Sequence, residues 1–249
     1  MERHEQELQR AFDAQAAQFE KSPVQGDAAA LQRLVAFARL PAGTRLLDAG
    51  CGPGLVAEAF LSAGHRVHGI DLSGEMVRRA QARCERFGEQ ASFEQGSVFD
   101  SSGGPFDAAV SRFVVHHVQD PVGFVRAVAA RVRPGGAVAV CDHVTDPDPA
   151  RARWHQDVER ARDRSHVANL TTGGLADALA AAGLSGVNLL EEELLLDFDE
   201  WFDRGTPALP KQEVRALVLS NRARGFEPER RPDGGITIRC VRVLARGIG

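Results

Sequence analysis

Two acids, a cluster of glycines and four histidines have the types and spacing for chemistry in this 249-residue chain. Asp48 ends a short apolar run, Arg45–Ala49, and Gly50-Cys51-Gly52-Pro53-Gly54 follows at once. Glycines in such a turn accept unusual φ and let a ligand reach the backbone. Asp71 ends the next apolar run, about twenty residues further on, the spacing expected between a glycine turn and an acid that binds ribose hydroxyls. A carboxylate there accepts two hydrogen bonds, each strengthened by its charge. Ser73-Gly74-Glu75 just beyond it also suits Asp71 as an acid at a helix N-terminus. His116, His117, His143 and His166 are candidate general bases, because imidazole titrates near neutral pH. His116 and His117 are adjacent, so at most one of them faces a common cavity.

These residues need a strand–turn–helix unit repeated along a sheet. Leu55–Leu61 has helical apolar spacing, His65–Asp71 reads as a strand, and Met76–Phe87 as a helix. Short strands are expected at Ala91–Gln95, Pro105–Ser111 and Ala137–Cys141, with helices at Val122–Val132, Arg151–Arg162 and Thr171–Ala182. Arg133-Pro134-Gly135-Gly136 reads as a sharp turn. Ile236–Ala245 alternates like a final strand. Leu8, Phe12, Ala16 and Phe19 form one stripe of an N-terminal helix that Pro23 and Gly26 end. The fold class is therefore α/β, a doubly wound, mostly parallel sheet. The dinucleotide pattern G-x-G-x-x-G is not met, because Leu55 stands where the third glycine belongs.

The segment D-x-G-C-G-x-G after a strand resembles the first motif of class I S-adenosylmethionine-dependent methyltransferases. Further matches follow in order: PFDAAVS, then RFVVHHVQDP, then RVRPGG before an apolar strand, and Ala182-Gly183-Leu184. The paired histidines resemble the ubiquinone and menaquinone biosynthesis branch of that family. The resemblance implies a Rossmann-like, seven-stranded sheet with an N-terminal cap helix and a small helical lid. It implies S-adenosylmethionine as cofactor, S-adenosylhomocysteine as product, and cofactor contacts at Asp48, Gly50, Cys51, Gly52, Gly54, Asp71, Leu72, Met76, Ser97, Val98, Ser111 and Arg112. Met76 reads equally as helix core, and Arg112 either pairs with a carboxylate or is a solvated loop residue. Phe12, Ala16 and Phe19 match a segment that folds over the cofactor in relatives, which makes Phe19 a lid residue. Relatives often carry Asp at position 97, holding the adenine amine; here it is Ser97. DRSHV resembles a D-P-S-H-V element, with Arg164 in place of Pro, and brings His166 to the substrate side.

Composition narrows the function classes. Net charge is −4, and Lys21 and Lys211 are the only lysines, so no basic stripe for nucleic acid is visible. The absence of tyrosine excludes a tyrosine base. Cys51, Cys84, Cys141 and Cys240 form no C-x-x-C pair, and no His and acid cluster implies a metal. The polar N-terminus is unlike a secretory signal and no run approaches a membrane span, so a cytoplasmic protein is expected. One domain is expected, with a cap at 1–26, a cofactor-binding core at 30–144, a lid and substrate region at 145–205, and a C-terminal helix and strands at 206–249; a homodimer is left open. The implied function is methylation of a small molecule at O, N or C, a quinone-like or aromatic metabolite being one acceptor class. The alternatives are a cyclase using the same cofactor and a non-catalytic cofactor-binding regulator.

Overall fold

A computed structural model describes residues 3–100 and 103–249. Arg45–Ala49 (β1) lies between Arg66–Asp71 (β2) and Phe106–Arg112 (β4), paired parallel to both. Ala91–Gln95 (β3) flanks β2 and Val132–His143 (β5) flanks β4, again parallel. Ile236–Ile248 (β8) runs antiparallel between β5 and Ser185–Asp197 (β6). The strand order is β3-β2-β1-β4-β5-β8-β6. The seven-strand path is thus as expected; an eighth strand, Phe226–Arg230 (β7), pairs with the far end of β8. Central strands are covered on both faces, which is why Leu46 and Leu47 of β1 are both buried rather than alternating.

Helices Ala28–Ala38 (α2) and Leu55–Ser62 (α3) cover one face, and Pro121–Ala129 (α5) with Thr172–Ala181 (α7) the other. Local chemistry sets their starts. The Asp27 side chain accepts from the amides of Ala29 and Ala30, and the Ser73 hydroxyl accepts from Met76 at 3.1 Å to open Gly74–Cys84 (α4). A third apolar cluster joins Pro149–Arg162 (α6), Phe198–Asp203 (α8), Lys211–Val218 (α9) and the outer ends of β7 and β8. Arg3–Lys21 (α1) lies against α4, outside the sheet layers.

Several boundaries differ from the sequence reading: the helix expected at Val122–Val132 ends at Ala129, with Val132 already in β5, and the last strand runs on to Ile248. The α-helix expected through Phe87 stops at Cys84, whose φ −97° and ψ 5° leave the helical region, and a tighter helical turn follows that Gly88, at φ 54°, breaks. The expected turn Arg133–Gly136 lies inside β5 as a bulge: Phe106 pairs with Val132, but Ala108 pairs with Ala137. A bulge inserts residues without ending the pairing.

Candidate active site

A cavity of about 500 Å³ opens at the carboxyl edge of β1, β2, β3 and β4, under α1. That edge is where doubly wound sheets bind ligands. Gly50, Gly52 and Gly54 all have positive φ, but for different reasons. A Cβ on Gly50 would lie 2.4 Å from Val114, and one on Gly54 2.9 Å from Ala80 Cα, so these two glycines serve packing. A Cβ on Gly52 would meet no protein atom within 4 Å, and Gly52 lines the cavity. Its missing side chain leaves room for a ligand.

Asp71 stands at the tip of β2 in the cavity wall. Its Oδ2 accepts from the Gly52 amide at 2.8 Å and its Oδ1 from the Ser73 amide at 2.9 Å. Each oxygen keeps a lone pair for a further donor. Burial pushes its pKa up to about 6 against those two amides, so it is ionised at neutral pH. Asp48 lies behind it, fully buried, and neither of its oxygens has a hydrogen-bond partner. Burial, then the neighbouring Asp71 charge, pushes Asp48 up to about 7; the Ala57 amide, near the carboxylate but outside hydrogen-bond geometry, and Arg112 pull the other way.

Beyond Asp71, toward β3, the wall is Leu72, Met76, Ser97, Val98, Phe99 and Asp100. The Ser97 hydroxyl donates to Glu5 Oε1 of α1 at 2.5 Å, and Glu5 also lines the cavity. On the other side, toward β4, stand Arg112, Phe113, Val114 and His117. The Arg112 guanidinium donates to the carbonyls of Gln25 and Val24 at 3.0 and 3.2 Å and lies over the Phe113 ring. It therefore pins the breaker segment after α1, and is neither solvated nor paired with a protein carboxylate.

Of the four candidate histidines, His117 alone is in the wall. Its Nδ1 lies 3.0 Å from the Ser165 carbonyl and 3.1 Å from the Ser165 hydroxyl, which itself donates to Asp163 at 2.6 Å. A carbonyl only accepts, so Nδ1 carries the proton and Nε2 the lone pair. Burial, then His116, holds the His117 pKa down at about 4, which keeps the ring neutral. His116 sits behind, bonded through Nδ1 to Asp142 Oδ1 at 2.6 Å. Burial opposes its charge, but Asp142 outweighs this and raises its pKa. His143 stacks on Phe113 with centroids 4.5 Å apart, and His166 meets Gln156 at 2.7 Å. These rings are packed into the β5–α6 junction, not into the cavity.

The expected cofactor residues Phe19, Gly50, Cys51, Gly52, Asp71, Leu72, Met76, Ser97, Val98 and Arg112 all line the cavity. Asp48, Gly54 and Ser111 do not. Asp48 is covered by the glycine turn, Gly54 packs on α4, and the Ser111 hydroxyl is spent on the Ala49 carbonyl at 2.8 Å. Residues 145–205 contribute nothing to the wall; they stand behind His117 through Ser165 and Asp163, while α1 is the cover. The sequence reading passed over His4, Glu5, Asp163 and Ser165. For His4 a signal existed: it lies four residues before Leu8, extending the stripe of α1 by a turn. Asp163 and Ser165 lie inside the DRSHV element, but the element points to His166, and their contact with His117 arises only through the fold.

Residues 24–189 match the family described as "Methyltransferase domain". A ubiquinone biosynthesis O-methyltransferase from Xanthomonas axonopodis pv. citri is 41% identical over 99 residues, 39% of this chain. The alignment spans only 41% of that relative's length. The methyltransferase YcgJ of Bacillus subtilis is 28% identical over 208 residues, 82% of each chain. The crystal structure of the B. subtilis YcgJ protein superposes with a TM-score of 0.78 at 26% identity, covering 88% of this chain and 97% of that one.

Proposed function

The chain belongs to the methyltransferase domain family, and from that premise we propose that it transfers a methyl group from S-adenosylmethionine to a hydroxyl of a small, flat, quinol-like or aromatic acceptor. The observation that carries this reading is one cavity holding both a vicinal-diol acceptor, Asp71, and a neutral imidazole, His117. The residues suit the cofactor. Asp71 would hold the ribose diol, the open face of Gly52 would admit the chain, and the unpartnered Asp48 carboxylate behind the turn favours a nearby cation. When bound, S-adenosylmethionine supplies a methyl on a positively charged sulfur, open to in-line displacement.

His117 takes the proton that an acceptor hydroxyl must lose, through Nε2, because Nδ1 is held by Ser165. Its neutral state persists down to about pH 4, so the base is available throughout the physiological range. Phe12, Phe19, Phe113, Val114 and Val118 give the acceptor apolar walls. The Phe12 ring of α1 meets His117 at right angles, centroids 5.0 Å apart, and so covers the base. Ubiquinone biosynthesis O-methyltransferases among the relatives support the acceptor class. We read the chain as one domain, with 1–26 closing the cofactor side and 145–205 buttressing the acceptor side. With no helix among the described residues long and apolar enough to cross a membrane, and a net charge of −4, we place it in the cytoplasm acting on small molecules rather than nucleic acid.

The test is incubation with S-adenosylmethionine bearing a CD3 group and a panel of phenols, quinols and amines, read by mass spectrometry. A CD3-shifted phenol or quinol is expected. Labelled amines alone would overturn the hydroxyl assignment, and cofactor binding with no labelled product from a metabolite extract would favour the regulator or the cyclase.

A further inference from the structure

The reading of the cavity as a cofactor site leaves open what recognises the nucleobase, and this inference rests on that reading. With the ribose at Asp71 on β2, a bound ligand extends one way toward β3 and the other toward β1 and β4. The reacting end must lie beside His117, on the β4 side, so the base lies on the β3 side. There the wall is apolar through Leu72, Val98 and Phe99, which suits a flat ring. The residue at the tip of β3, Ser97, brings a hydroxyl and no charge.

We infer that Glu5, carried in by the N-terminal helix, supplies the carboxylate that accepts from the exocyclic amine of adenine, and that Ser97 positions it. The Ser97 hydroxyl donates to Glu5 Oε1 at 2.5 Å, and both residues line the cavity. The Phe99 amide donates into the Ser97 oxygen at 3.3 Å, which leaves the hydroxyl hydrogen for Glu5. The helix that carries Glu5 is fastened to the cofactor half. Asp13 accepts from the Ser73 hydroxyl at 2.5 Å and the Glu75 amide at 3.3 Å, and Glu20 pairs with Arg79 and with Arg83 at 3.2 Å. Glu5 is thus held by a tertiary contact at the base end of the cavity, 92 residues away in sequence from the serine that orients it. A carboxylate accepts from one hydrogen of the adenine amine. Against a 6-oxo purine it faces an oxygen and repels it, so the same group selects adenine and rejects hypoxanthine.

Calorimetric titration of the whole protein with S-adenosylhomocysteine and with its 6-oxo analogue, S-inosylhomocysteine, tests this. The wild type is expected to prefer the adenine compound by roughly 10- to 100-fold, the effect of a charge-assisted hydrogen bond. Glu5→Ala should weaken S-adenosylhomocysteine by about that factor and abolish the preference. Adding Ser97→Asp to Glu5→Ala should restore it, because the carboxylate then comes from β3 itself; a merely structural Glu5 would not be rescued in this way. Undiminished preference in Glu5→Ala overturns the inference while leaving the cofactor site intact. Failure of the wild type to bind S-adenosylhomocysteine at all overturns the cofactor reading itself.

Discussion

At the β1–β3 end of the cavity the ligand-facing groups are a glycine turn, Asp71, Ser97, Asp100 and apolar side chains, all from residues 50–100 apart from the helix above. At the β4 end they are side chains from two segments, Phe12 and Gln25 near the N-terminus and Arg112 and His117 at and after the end of β4, with Ser165 and Asp163 of a third segment standing behind His117, outside the wall. The first end is set by backbone conformation and local spacing. The second is a buried polar network, with three histidine rings around His116, which is bonded to Asp142, and with Asp163 accepting from Ser165 and Thr206. Turns and strand tips are local objects that short sequence patterns specify. A network whose every member depends on the others specifies a unique packing only once the chain is folded.

That contrast is breakable, and the largest effect should come from the turn. Gly52→Val puts a side chain into open cavity space at φ 52°, so S-adenosylhomocysteine binding should vanish by calorimetry while the far-ultraviolet spectrum stays folded. Normal binding would remove Gly52 from the ligand's path. At the other end, His117→Ala should lower kcat by roughly 10²- to 10⁴-fold with little change in cofactor affinity. A joint loss of both would show that the two ends are not separable.

Asp71→Ala should weaken S-adenosylhomocysteine by about 100-fold, two charge-assisted bonds being removed. It should also cost stability, about 1–3 kcal/mol, because Ser73 is fully buried and its amide would lose its partner, whereas Gly52 lines the cavity. The smallest effect concerns Asp48. Its native pKa, pushed up to about 7, lies above the ordinary carboxylate value, so between about pH 4 and 7 the folded protein holds a proton that the unfolded chain has released. That stabilisation is complete below about pH 4 and is lost progressively as pH rises to about 7. Asp48→Asn should therefore stabilise the ligand-free protein more at pH 8 than at pH 5, by about 2–3 kcal/mol, checked by thermal melts at both values. An equal gain at the two pH values would show that the buried charge is not the cause.

The order of elements, the strand tips that carry Asp48 and Asp71, and the glycine turn follow from the sequence alone, because apolar periodicity and positive-φ glycines act over a few residues. So does the β-strand at Ala91–Gln95, whose bounds coincide with those read from the sequence. Which histidine meets the cavity was decided only by the tertiary structure. His116 and His117 are neighbours of the same type, and the turn after β4 sends one ring to Asp142 and the other to Ser165. Nor could local pattern divide the glycines, since Gly50 and Gly54 are required by Val114 and Ala80, residues distant in the chain. The meeting of Glu5 with Ser97 is the furthest from the reach of sequence: a helix stripe predicts a buried face, but what it is buried against depends on how α1 docks across the sheet edge.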